Sequence, residues 1–250
     1  MPCRVCGEPK TVSSHLMPRA FAMDARRGEK HLMVGTTDSA GYRITQGGHF
    51  DNDILCEKHE RALEQLDDYG VDFVRSFPTR HEKREMEGRS FWVLRGIESD
   101  RLVRFAASVI WRWSVSSQPA TSGIWLGAQT ITFRRAVFEG ANVGGEPALG
   151  FYSMRSRELA PETVSGMVLP PTAMRPFGIR HFGFGVGGLI FVVKADVRAV
   201  PPEEALLKVN GRTDYVGESR FVEDGPEWPA IRTMILNMGA HRRSPGRVEA

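Results

Sequence analysis

The chain has 250 residues, 41% hydrophobic and 25% charged, an ordinary globular composition with room for one large domain or two small ones. Its formal net charge of +3 is too small to argue for nucleic-acid binding by itself, and the sequence holds neither an internal repeat nor a low-complexity tract. No apolar run precedes Cys3, so the expectation is a cytoplasmic protein without a secretory signal.

In chain order, the first feature with chemical content is a pair of pairs, Cys3-x-x-Cys6 and Cys56-x-x-His59. Each puts two soft or borderline ligands within reach of one ion, and together they complete the four-ligand set that tetrahedral structural Zn²⁺ requires. These are all the cysteines of the chain, so a zinc site leaves no thiol for a disulfide or a nucleophile. A zinc thiolate centre suits a reducing cytoplasm. The competing reading is a chance pairing of an exposed CxxC with an unrelated CxxH.

Between the pairs lie Ser13-Ser14-His15-Leu16-Met17-Pro18-Arg19 and a Gly-rich turn running from Gln46-Gly47-Gly48-His49 through Asn52 into Cys56. A ligand pair at a tight turn, two extended strands and a second pair in the first turn of a helix is the layout of a treble-clef zinc finger. The helix is expected to begin near Asp53 as N-cap, with Ile54, Leu55, Ala62, Leu63 and Leu66 on its apolar face. Cys56 and His59, at i and i+3, would share one face of it.

These residues resemble the zinc-stabilised branch of the HNH nucleases over about a quarter of the chain. The matching positions are Cys3 and Cys6, Ser14-His15 with Pro18, Gly47-Gly48, Asn52, then Cys56 and His59 with Glu60 following. The resemblance implies a ββα-metal-like module acting on DNA or RNA phosphodiesters. His15 would be the general base and Asn52 would help orient it or the loop. A divalent cation, Mg²⁺ or Mn²⁺, would stabilise charge on the leaving oxygen. Two positions depart from the family. Ser14 stands where the family has an acidic residue, and Glu60 stands where it has a second histidine. A carboxylate is a good ligand for a hard cation, whereas a serine hydroxyl is a poor replacement for an aspartate. His15 can equally be a histidine that braces the finger, and Glu60 a charge that a helix start accommodates without any function. His31 and His49 read as surface.

Arg19, Arg26, Arg27, Lys30 and Arg43 make a basic arm beside this region, suited to a phosphate backbone or simply to solvent. The helix is expected to stop at Phe77-Pro78, and the mixed-charge stretch 79–90 reads as a linker or solvated helix that closes a first domain over residues 1–78. A second, α+β domain over 91–240 then opens with Phe91-Trp92-Val93-Leu94. Its buried central helix runs from Asp100 to Val115, too short and too charged to span a membrane. The Trp111-Arg112-Trp113 run inside it reads as core rather than as a base-stacking platform. A helix over 126–139 turns Arg134 and Arg135 outward, and a Gly/Pro loop follows to Gly150. Strands are expected at Val164 to Leu169, Phe177 to Phe184 and Gly187 to Ala195. Gly183-x-Gly185-x-x-Gly188 has a dinucleotide-loop spacing but precedes a strand, where no helix N-terminus can receive a pyrophosphate. From Pro201 to Pro229 the chain is polar and turn-rich, a short helix runs from Trp228 to Met238, and residues 241–250 form a basic tail. The overall expectation is an α+β protein with an N-terminal zinc module, either a metal-dependent nuclease or a non-catalytic finger that binds nucleic acid or a protein.

Overall fold

The structure, a computed structural model, describes all residues except 28, 36–41, 46, 122, 141–146, 200, 206, 226–227 and 243–250. The basic tail beyond residue 242 and most of the Gly/Pro loop before Gly150 therefore lie outside the described residues, as does Gln46. The elements run β1 (Val12–His15), α1 (Arg19–Arg26), β2 (Leu32–Gly35), β3 (Tyr42–Thr45), β4 (Phe50–Leu55), α2 (Glu57–Arg80), β5 (Glu82–Met86), β6 (Arg89–Leu94) and α3 (Ser99–Val115). They continue with α4 (Gln129–Glu139), β7 (Leu149–Arg155), α5 (Pro161–Ser165), β8 (Val168–Met174), β9 (His181–Val186), β10 (Leu189–Lys194), α6 (Pro202–Ala205), β11 (Tyr215–Phe221) and α7 (Trp228–Arg242). The class is α+β, with the Cys/His quartet close to the N-terminus. No helix among the described residues is long and apolar enough to cross a membrane.

Seven strands form one sheet in the order β5-β6-β11-β7-β10-β9-β8, in which only the β11–β7 pairing is parallel. Two antiparallel pairs, β1–β4 and β2–β3, stand apart from it. Helices α2 and α3 lie across one face of the large sheet. Phe73 of α2 meets Phe151 at 5.5 Å between ring centroids, Phe77 meets Trp92 at 4.9 Å, and Phe105 of α3 meets Phe191 at 5.9 Å. One continuous buried cluster runs from Cys3, Leu16 and Phe21 through Leu63 and Phe105 to Phe191 and Tyr215. The Cys/His end and the sheet thus share a core. On the opposite face, Met154, Val164, Ile190, Val222 and Ile231 form a second cluster with Tyr152, Trp228 and Met234 against it.

Several expected boundaries shift for identifiable reasons. Asp53 does not cap α2: it belongs to β4, and Cys56, in extended backbone, stands at the N-cap position. Ile54 and Leu55 are therefore buried from a strand, and Ala62 is exposed. Pro78 does not end α2, which runs on to Arg80. A proline in the last turn removes one backbone bond without a following turn to disrupt. The stretch 79–90 is no linker: it holds the end of α2, the exposed edge strand β5 and the turn into β6, where Glu87 and Gly88 both take positive φ. Its charged side chains are those of a solvated sheet edge. Val164 lies in α5, so the strand expected there begins at Val168, and Gly187-Gly188 is the β9–β10 turn rather than part of a strand. The polar tract after Pro201 contains β11, which joins the two halves of the sheet.

Candidate functional site

The N-terminal turn holds Cys3 and Cys6 in place. Cys3 N–H donates to Glu8 O at 2.8 Å, Gly7 N–H donates to Cys3 O at 2.9 Å, and Gly7 supplies the positive φ of 79° that closes the knuckle. Arg4 N–H donates to Ile54 O at 2.8 Å and pins the turn onto β4, directly before Cys56. The first turn of α2 then brings His59 round to the same point.

The sulfurs of Cys3, Cys6 and Cys56 and a ring nitrogen of His59 all lie within 4.8 Å of one another, close enough to hold one metal ion. Cys6 Sγ lies 3.8 Å from Cys56 Sγ, and His59 Nδ1 lies 3.2 Å from Cys56 Sγ and 3.6 Å from Cys3 Sγ. A tetrahedron with ordinary Zn–S and Zn–N bonds has S···S and S···N edges of about 3.8 and about 3.5 Å, so the donor set and its spacing are compatible with zinc. Burial raises the Cys3 thiol's pKa, but hydrogen bonds from the backbone of Cys6, Cys56 and Val5 and from the Cys56 side chain outweigh it and hold it below its usual range. Phe138 of α4 packs edge-on against His59 at 5.3 Å and ties the centre to the body.

The β1–β4 pair divides the remaining candidates between two faces. Ser14 pairs with Asp51 and both are buried, while His15 pairs with Phe50 towards the outside. Asn52 is exposed on β4. His15 is half-buried. Its burial, then Arg19 and Arg112, hold its pKa below the ordinary value, which favours the neutral imidazole. A Cβ placed on Gly47 would lie 3.7 Å from His15 Nε2 and 3.4 Å from Arg19 Nε, so imidazole and guanidinium border the same glycine turn. Glu60 approaches Ser14 beneath β1. Burial pushes its pKa up, with the Ser14 hydroxyl working against that rise. Among the described residues neither Ser14 Oγ nor Glu60 Oε2 closes a hydrogen bond of good geometry, and both atoms are buried. Thus His15 and Glu60 stand near the same strand, with Asn52 further out on β4.

Three residues to which the sequence reading gave no part in the site organise this region. Arg112, fully buried in α3, donates to both carboxylate oxygens of Asp67 on α2 at 2.7 and 2.8 Å, and to His15 O at 2.8 Å. Asp51, 2% exposed, accepts from Ser116 Oγ at 2.7 Å, Ser117 N at 2.9 Å and Asp53 N at 2.8 Å. Despite its burial, these donors lower its pKa. Both contacts fasten the Cys/His region to α3. Their sequence signals, an arginine inside an apolar helix and a Ser-Ser pair after it, become readable only once partners are known. Trp111 and Trp113 are buried as expected for core, while His49 is exposed with its ring 5.7 Å from that of Trp113.

No family model matches this chain, and no curated protein or solved structure matches it either.

Proposed function

We propose that the N-terminal region is a treble-clef module held by Zn²⁺ on Cys3, Cys6, Cys56 and His59, and that it hydrolyses nucleic-acid phosphodiester bonds in the manner of the HNH nucleases, with His15 as general base. The observation that carries this reading is the placement of the half-buried His15 imidazole and the Arg19 guanidinium at the same Gly47 turn. A base must be unprotonated to take a proton from water, and a guanidinium is a fitting partner for the phosphate that water attacks. Glu60, with an unpartnered buried oxygen next to the Ser14 hydroxyl, would hold a Mg²⁺ or Mn²⁺ ion, and such an ion, when bound, neutralises charge on the leaving oxygen. Arg19 and Arg26 would meet the backbone of DNA, and Asn52 would steady the exposed side of β4. The quartet, with its three thiolates, suits a reducing compartment, the cytoplasm.

One observation favours a binding module instead. The fixed cation Arg112 already lies against Asp67 and the backbone of His15, and a serine, Ser14, stands before His15 in place of an acidic residue. In that case the same surface would recognise nucleic acid or a protein without cleaving it.

The two readings separate in one experiment. Plasmid and single-stranded DNA are incubated with wild type and with His15→Ala, in Mg²⁺, Mn²⁺ or chelator, and the zinc content of both proteins is measured. Cation-dependent cleavage that disappears in a zinc-loaded His15→Ala protein is the expected result. A zinc-loaded wild type that binds DNA but leaves it intact would overturn the catalytic reading and support the binding one.

A further inference from the structure

The outer face of the seven-stranded sheet, away from α2 and α3, carries a cavity of about 590 Å³. Its wall is apolar and adaptable: Met154, Met174, Ile190 and Met234 line it, together with the ring of Tyr152. The volume lies within the range of small-molecule sites, which are mostly apolar with a few placed polar groups.

The charges around it are unevenly matched. Arg89, Arg155 and Arg220 line the cavity, against the two carboxylates Glu218 and Asp224. Glu218 serves both Arg89 and Arg220, and Asp224 is taken up from outside the cavity by Arg157 at 2.7 and 3.0 Å. That leaves Arg155 without a carboxylate among the described residues. Its guanidinium lies over the Phe221 ring at 4.4 Å, and its buried Nε finds no acceptor among them. A buried guanidinium N–H without an acceptor is costly, and an anion supplied by a ligand removes that cost. The planar fork of arginine is matched by the two oxygens of a carboxylate.

We propose that this cavity binds a small organic acid with an apolar body, its carboxylate received by Arg155 and its body lying along the methionine-rich wall. A single unmatched guanidinium, with Glu218 at the same mouth, fits a singly charged head better than a doubly charged phosphate. The site lies on the sheet face opposite α2 and is independent of the reading given above for His15.

Decanoate serves as the probe and decanol as its uncharged counterpart, each titrated calorimetrically into the full chain. Wild type is expected to bind decanoate saturably and at least tenfold more tightly than decanol. Arg155→Gln is expected to bring decanoate down to the level of decanol without changing decanol binding. Glu218→Gln, which frees Arg89 and Arg220 from their shared partner, is expected to tighten decanoate binding several-fold, and it decides the matter if Arg155→Gln does not fold. Equal binding of the two probes by wild type, no saturable binding of decanoate, or decanoate affinity unmoved by Glu218→Gln would each overturn the proposal.

Discussion

Arg112 and Asp67 form a bidentate ion pair between α3 and α2, with contacts of 2.7 and 2.8 Å, and the same guanidinium holds the carbonyl of His15. One buried side chain thereby fixes the distance between the strand that carries His15 and the helix that carries Glu60. Arg112→Met or Asp67→Leu alone should cost about 3–5 kcal/mol, because each leaves a buried polar partner unmatched. Replacing both with apolar residues should recover much of that loss. Urea denaturation of the four proteins in a double-mutant cycle measures the coupling, and strictly additive losses would show that the pair is not the link described.

Loss of a quartet ligand should be felt beyond the N-terminal turn. Cys3 and Cys56 belong to the same buried cluster as Phe105 and Phe191, so Cys56→Ala should lower the melting temperature of the whole chain in a single transition. The stabilisation at stake for a structural zinc is on the order of 10 kcal/mol. Metal analysis and calorimetry with and without a chelator check this. An unchanged melting curve after complete metal removal would contradict it.

Glu60 makes stability depend on pH with a definite sign. Its pKa is raised in the folded protein, so the fold binds that proton more tightly than the unfolded chain does. The contribution is fully present below the ordinary carboxyl value and is lost as pH rises through the raised one. Glu60→Gln should therefore raise the melting temperature at pH 8 and leave it nearly unchanged at pH 4. These measurements belong in buffer without added Mg²⁺ or Mn²⁺, since a bound cation would hold the carboxylate ionised. A variant less stable than wild type at pH 8 would mean that the ionised carboxylate is favourably held.

Gly70 sits where α2 crosses α3, and a methyl group on it would run into the ring of Phe105. In a solvated helix Gly→Ala gains about 1 kcal/mol. Here overpacking of about 1–3 kcal/mol should outweigh that gain and leave Gly70→Ala less stable than wild type in urea. Equal or greater stability would mean that the two helices separate at little cost.

His15 predicts the acid limb of any cleavage reaction. Because burial and Arg19 depress its pKa, activity that depends on a neutral imidazole should persist below pH 6.5, the ordinary value for the group. The rate against pH for wild type tests this, and a rate already falling above pH 6.5 would assign the base to another residue. Stability follows the same direction: the depressed group's contribution is present above its ordinary value and is lost as pH falls through the folded one.

The sequence by itself determined the local features. The CxxC and CxxH spacings named the four candidate ligands whose donor atoms the fold brings within 4.8 Å of one another, because each pair is set by a turn of a few residues. The apolar run from Asp100 to Val115 named α3 almost to its ends, because a helix buried on nearly all sides is apolar on nearly all sides. Only the tertiary structure decided how these pieces meet. Arg112 and Asp67 are 45 residues apart, and Asp51 and Ser116 are 65 residues apart, with no local pattern linking either pair. Strand β11 reads as polar, yet it lies inside the sheet because Gly217 leaves room for the indole of Trp92 on its strand partner. The exposed β5 reads as a linker because one pairing partner is enough to hold an edge strand whose side chains all face water. Ligand spacing is a property of a few consecutive residues, whereas the burial of an arginine, an aspartate or a polar strand depends on what the distant chain places against it.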